Sequence, residues 1–99
     1  VENLLHPPED DIQRFILFVS GMSVKSGLAI ENLRKICDTY LAGKFELEII
    51  DISRDREQAA AYQIVGIPTL IRTNPNPPRI ILGDLSDTEK VLRLLNIGQ

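Results

Sequence analysis

The chain has 99 residues, enough for one small domain with a single core and too few for two. It is 43% hydrophobic and 25% charged, the ordinary balance of a globular protein, and its formal net charge of −3 argues against generic attraction to nucleic acid. No apolar run approaches the roughly 20 residues of a membrane span. One cysteine, Cys37, excludes an internal disulfide and fits a reducing cytoplasm.

The N-terminal residues 1–14 read as an arm ahead of a domain spanning 15–99. "VENLLHPPEDD" has no basic n-region and no h-region, which predicts no cleaved leader. Pro7 and Pro8 discourage helix there, and Glu9, Asp10 and Asp11 prefer water. "FILFV", Phe15 to Val19, is a continuous apolar run of strand length, as expected of a central strand buried on both faces. From about Val24 to Leu41 the period changes to that of a helix. Ala29, Leu33, Ile36, Cys37 and Tyr40 share one face, and Glu31, Asn32, Arg34, Lys35 and Asp38 take the other. Ser23 or Ser26 can cap its start and Gly43 can end it. "FELEIID", Phe45 to Asp51, alternates with period two and predicts a strand with a wetter face, at a sheet edge.

A shorter helix follows, roughly Asp55 to Gln63, with Ser53 or Asp55 as its cap. "VGIPTLIR" predicts a third strand, with Pro68 at its beginning, where a residue lacking an N–H is tolerated. "TNPNPP", Thr73 to Pro78, is a turn, and "RIILG", Arg79 to Gly83, is an antiparallel partner for the third strand. "SDTE", Ser86 to Glu89, has the form of a capping box opening a last helix that Gly98 stops. The order is β-α-β-α-β-β-α, that of an α/β thioredoxin-like fold with a four-stranded mixed sheet.

In such a fold a redox enzyme carries its nucleophile between the first strand and first helix, where the helix dipole stabilises a thiolate. Here that loop is "SGMSVKSG". Ser23 and Ser26 have the right separation, but serine cannot exchange disulfides. Cys37 sits on the apolar helix face and reads as a buried small hydrophobe. His6, even with Glu9 and Asp10, makes a poor metal site as the chain's only histidine. Asp51, Asp55, Asp84 and Asp87 could be gathered into a carboxylate cluster, but Asp55 and Asp87 suit helix starts. "SGMSVKSG" lacks the Gly-Lys-Ser/Thr ending of a phosphate loop. No acid, base and nucleophile come together, so neither an enzyme nor a cofactor is expected.

"FILFVSGMSVKSGLAIENLRKI", "FELEIIDI", "GIPTL" and "NPNPPRIILGDLSDTEKVL" closely resemble the KaiB family of circadian-clock proteins, over about Phe15 to Leu95. "GDLSDTEKVL" is the most specific part. The resemblance implies a non-enzymatic regulatory protein that binds a ring-shaped KaiC-like ATPase, in circadian or stress-response control, and that sequesters KaiA or competes with a clock histidine kinase. It also implies two folds: a tetrameric ground state with its own topology, and a monomeric thioredoxin-like state that binds the ATPase. In the latter, Pro68 is the cis-proline facing the Ser23–Ser26 loop. Arg72 and Arg79 occupy basic positions linked to ATPase binding, whereas Glu48 and Gln63 stand where the family often has lysine. Leu94 and Asn96 replace a family Gly-x-Asp in the fold-switch region, and Leu94 should favour the helical state, because an interior glycine costs roughly 1 kcal/mol. Two alternatives stand beside this reading. One is a KaiB-like sensor domain of a histidine kinase or other signalling protein, which a start at Val1 fits; the other is a redox-inactive thioredoxin relative. Neither nucleic acid nor membrane is expected as a partner, and a homo-oligomer is admitted.

Overall fold

The computed structural model describes residues 12–21 and 23–97. Four strands, β1 (Gln13–Val19), β2 (Phe45–Asp51), β3 (Thr69–Asn74) and β4 (Arg79–Leu82), form one sheet in the order β2-β1-β3-β4. β1 pairs parallel with β2 and antiparallel with β3, and β3 pairs antiparallel with β4, so the sheet is mixed. The helices are α1 (Val24–Tyr40), α2 (Arg56–Ala61) and α3 (Thr88–Leu95). This is the expected element order. β1 begins at Gln13, so the last two residues of the expected arm belong to the sheet. Residues 1–11 of the arm, with His6, Glu9 and Asp10, lie outside the described residues.

The period-two rule sorts side chains onto two unequal faces. The first face carries Phe15, Leu17, Val19, Leu70 and Ile81, which pack with Ala29, Leu33, Ile36 and Cys37 of α1 and Val91 and Leu95 of α3. The second carries Phe18, Ile50 and Ile71, flanked by Ile16, Ile52, Ile64 and Ile67. β1 is apolar throughout because both faces need it: Leu17 and Phe18 point opposite ways and both are fully buried. α2 is six residues long with none buried, so the second face has thin cover.

The caps follow local chemistry, with two corrections. Ser23 caps α1, its hydroxyl accepting from the Ser26 amide, while the Ser26 hydroxyl is buried and accepts from the Ser20 amide. Asp55 caps α2. α3 is capped by Asp87, not by Ser86 as the capping-box pattern suggested, because the Asp87 carboxylate accepts from the Lys90 amide. The Ser86 amide is instead turned to Asp84. α3 also ends earlier than expected. Asn96 adopts φ 59° and ψ 45°, the left-handed conformation its short amide side chain tolerates, and it terminates the helix before Gly98. Gly43, at φ 75°, lies beyond the Leu41 C-cap, in the turn to β2.

Cys37 is fully buried against the sheet, and burial, reinforced by the neighbouring Asp38 charge, pushes its thiol up to about 12. A thiol that stays protonated at neutral pH is not a nucleophile. Native protein treated with a maleimide at pH 7.5 should therefore leave Cys37 unmodified for hours, while the urea-unfolded chain reacts within minutes. Rapid native labelling would contradict this burial.

Candidate partner-binding surface

At one end of β3, Pro68 is among the most buried residues, and the Ile67–Pro68 peptide bond is cis. The Pro68 carbonyl accepts from the Gly83 amide at 3.0 Å, which ties the start of β3 to the end of β4. The Thr69 hydroxyl donates back to the Gly66 carbonyl and closes the turn that presents the proline.

The β1–α1 loop and the end of β2 meet at Asp51. Its carboxylate accepts from the Ser53 amide at 3.0 Å and the Ser53 hydroxyl at 2.7 Å. A Cβ on Gly21 would lie 2.5 Å from Asp51 Oδ2, so glycine is what allows the loop to approach. The Ser53 hydroxyl first, then the Ser53 amide, hold the Asp51 carboxyl below the usual carboxylate range, helped by the Gly21 amide and the Arg54 charge. A carboxyl with a lowered folded pKa adds stability above its unfolded value near 3.9 and loses that contribution as pH falls through the folded value. Acid titration of the Asp51→Asn variant should accordingly show a shallower loss of stability below about pH 4 than the parent. Superimposable acid profiles would remove Asp51 from the loop's support.

The same chemistry recurs in the Gly83–Asp87 loop. Asp84 Oδ1 accepts from the Ser86 amide at 3.0 Å, and the Asp84 carbonyl accepts from Asn32 Nδ2 at 2.9 Å, pinning the loop to α1. Asp51, Asp55, Asp84 and Asp87 thus each organise a separate turn or cap.

At the other end of β3 the two candidate arginines diverge. Arg72 and Arg79 are register partners across β3 and β4. Arg79 is exposed. Arg72 is only 4% exposed and points under α3, where Nη1 donates to the Leu95 carbonyl at 2.7 Å and Nη2 to the Pro77 carbonyl at 2.9 Å. Burial, and then the Arg79 charge, push the Arg72 pKa below its ordinary value. Both of its terminal nitrogens are therefore spent inside the fold. The structure also brings the segment from Leu94 to Asn96 to this end through the Leu95 carbonyl, with the Leu94 side chain 42% exposed. Pro68 stays apart, four residues up β3. Two further buried polar atoms at this end were not foreseeable from residue type: Gln13 Oε1 and Arg72 Nε have no hydrogen-bond partner among the described residues.

Residues 16–97 match the KaiB domain family. The chain belongs to the KaiB family. It is 40% identical over 89 residues to the circadian clock protein KaiB3 of a Synechocystis strain, covering 88% of this chain and 87% of that protein. It is also 40% identical over 76 residues to the circadian clock oscillator protein KaiB of Parasynechococcus marenigrum, covering 77% of this chain and 73% of that one. Among solved structures, the N-terminal domain of Synechococcus elongatus SasA superposes with a TM-score of 0.70 at 20% identity, covering 87% of this chain and 85% of that one. The Drosophila thioredoxin Deadhead gives 0.71 at 14%, covering 96% and 87%. These two likenesses establish the thioredoxin-like fold. In this KaiB-family chain the segment from Ser20 to Gly27 has no cysteine, and the Ser23 and Ser26 hydroxyls accept from backbone amides there. Glu48 lies on the second face of the sheet beside Ile16, and Gln63, at φ 55°, follows α2. Among the described residues no helix is long and apolar enough to cross a membrane.

Proposed function

We propose that this protein is a non-catalytic, cytoplasmic regulatory component of a circadian or stress-response system, binding a KaiC-like ATPase through the exposed β4 surface around Arg79. The observation that carries this reading is the 40% identity to a circadian clock protein KaiB3 across 88% of this chain and 87% of that protein. The side-chain geometry supports Arg79 as a contact, because it is exposed on the edge strand, while Arg72 is committed to internal carbonyls. A cation on a sheet edge serves chiefly to steer and orient an acidic partner.

The test is a titration against the KaiC-like ATPase of the same genome, with ATP, read by size-exclusion chromatography with light scattering. The expected result is a stoichiometric complex whose affinity falls about tenfold or more in Arg79→Glu, since like charges placed across an interface repel. Absence of a complex with the intact ATP-loaded ring would overturn the reading. A clock histidine kinase that uses a similar fold is expected to compete for the same ring.

A further inference from the structure

We propose that two copies of this chain pair through their β4 strands, antiparallel about a two-fold axis at Ile81, into one continuous sheet. β4 is a sheet edge, bonded to β3 alone. Its register fixes what the open side offers. The Gly83 amide donates to the Pro68 carbonyl, which the register sets directly opposite it. In an antiparallel ladder, bonded and non-bonded pairs alternate. Ile81 and Arg79 therefore turn their backbone groups toward β3, and the N–H and C=O of Ile80 and Leu82 point out of the edge. Among the described residues no loop or cap supplies these groups with a backbone partner. An edge of this kind is a template for another strand.

The edge is complementary to itself. With Ile81 opposite its own copy, Ile80 falls opposite Leu82 of the second copy. The Ile80 N–H then donates to that Leu82 carbonyl, the Leu82 N–H donates back to the Ile80 carbonyl, and the two-fold axis repeats the exchange. Every outward backbone group of β4 is satisfied. The same register joins the side chains. Ile80 is 66% exposed and Leu82 60%, and they become cross-strand apolar pairs. On the opposite side of the strand, Arg79 falls opposite Gly83 of the second copy, which has no side chain to obstruct it, with Asp84 the next residue. Arg79 stands across from the buried Arg72 and has no carboxylate partner of its own among the described residues. The Asp84 carboxylate of the second copy supplies the missing anion. The other edge does not compete, because β2 exposes Glu46 and Glu48, and acids along an edge discourage pairing. Association therefore stops at two. A contact of four residues a side falls short of the roughly 1,000 Å² of a stable interface, so the dimer is weak and concentration-dependent. It does not rest on the ATPase reading, and its test uses the chain alone, so either can fail without the other.

Sedimentation and amide NMR of the full chain, from about 10 µM to 1 mM, test the pairing. The mean mass should rise toward that of two chains, with the Ile80 and Leu82 amides shifting while those of β2 stay still. Ile80→Lys, at an exposed position, should weaken association about tenfold or more with unchanged circular dichroism. The register has its own readout. Bonded opposite residues lie about 5.5 Å apart between Cα atoms, within reach of a disulfide. Oxidising a mixture of Ile80→Cys and Leu82→Cys proteins should give the mixed disulfide above its random share, and Cys37 is buried and stays out of the reaction. A monomer at 1 mM, a larger oligomer, shifts centred on β2, association insensitive to Ile80→Lys, or random cross-linking would each overturn the proposal.

Discussion

Phe18→Ala should destabilise the protein by about 3–5 kcal/mol, the usual range for a fully buried phenylalanine. Phe18 is fully buried, and among the described residues its cluster on the second face has two other buried apolar residues, Ile50 and Ile71. Its ring also meets Tyr62 at a centroid distance of 5.5 Å, at the end of α2. Because α2 buries no residue itself, this contact and the neighbouring Ile52 and Ile64 are what hold it to the sheet. The cavity left by alanine cannot be filled from α2, so little relaxation offsets the loss. For a domain whose total stability is about 5–15 kcal/mol, the variant stands near its unfolding limit at 37 °C. Urea denaturation measures the loss, and hydrogen exchange should show α2 amides losing protection before those of β1 and β2. A loss under about 1 kcal/mol would mean that the second face contributes little to the core.

The element order, the doubly buried first strand and the edge position of the second were legible because periodicity reports burial directly. "FILFV" carried no alternation, which is the signature of a strand covered on both sides, and "FELEIID" alternated because β2 is an edge strand with Glu46 and Glu48 on the thinly covered face. Caps were harder to read, since adjacent candidates differ only in local geometry. Ser86 and Asp87 are equally good caps on composition, and the structure gives the role to Asp87, whose carboxylate accepts from the Lys90 amide, while the Ser86 amide donates to Asp84. Gly98 looked like the helix stop, but Asn96 reaches the left-handed region first. Arg72 shows the deeper limit. Its neighbours Leu70 and Ile71 are both buried, so position 72 on this strand was readable as inward-facing, yet a charged residue is read as exposed by default. What reverses that default is the pair of backbone carbonyls from Leu95 and Pro77, and residues 23 and five positions away announce no such contact in the sequence.

Arg72→Ala should cost about 2–4 kcal/mol, and the loss should fall first on α3 and the loop before β4. The guanidinium donates to two carbonyls, and a hydrogen bond from a charged donor is worth about 1.5–3 kcal/mol. The Leu95 carbonyl lies at the negative end of the α3 dipole, which favours a cation there by up to about 2 kcal/mol. Opposing this is the cost of burying a cation that has no carboxylate partner among the described residues and an unpartnered Nε. The balance is decided by what each replacement leaves behind. Alanine removes the charge but orphans two carbonyls and opens a cavity. Arg72→Met keeps most of the volume and sheds the desolvation cost, so it should lose less than alanine. Arg72→Lys should not restore stability, because one ammonium is a point donor and the two carbonyls are met by the two arms of a planar fork. Hydrogen exchange distinguishes a clamp from a mere space-filler. If Arg72 holds α3, then methionine as well as alanine should speed exchange across Val91–Ile97, leaving the β1–β2 ladder protected. If Arg72→Met matches the parent in both stability and α3 protection, the buried guanidinium is a cost that the fold tolerates. If Arg72 does hold α3, any loss of the proposed ATPase binding in Arg72 variants should follow from release of α3 and the Pro77 loop beside Arg79, and lowering the temperature to restore α3 protection should restore the binding with it.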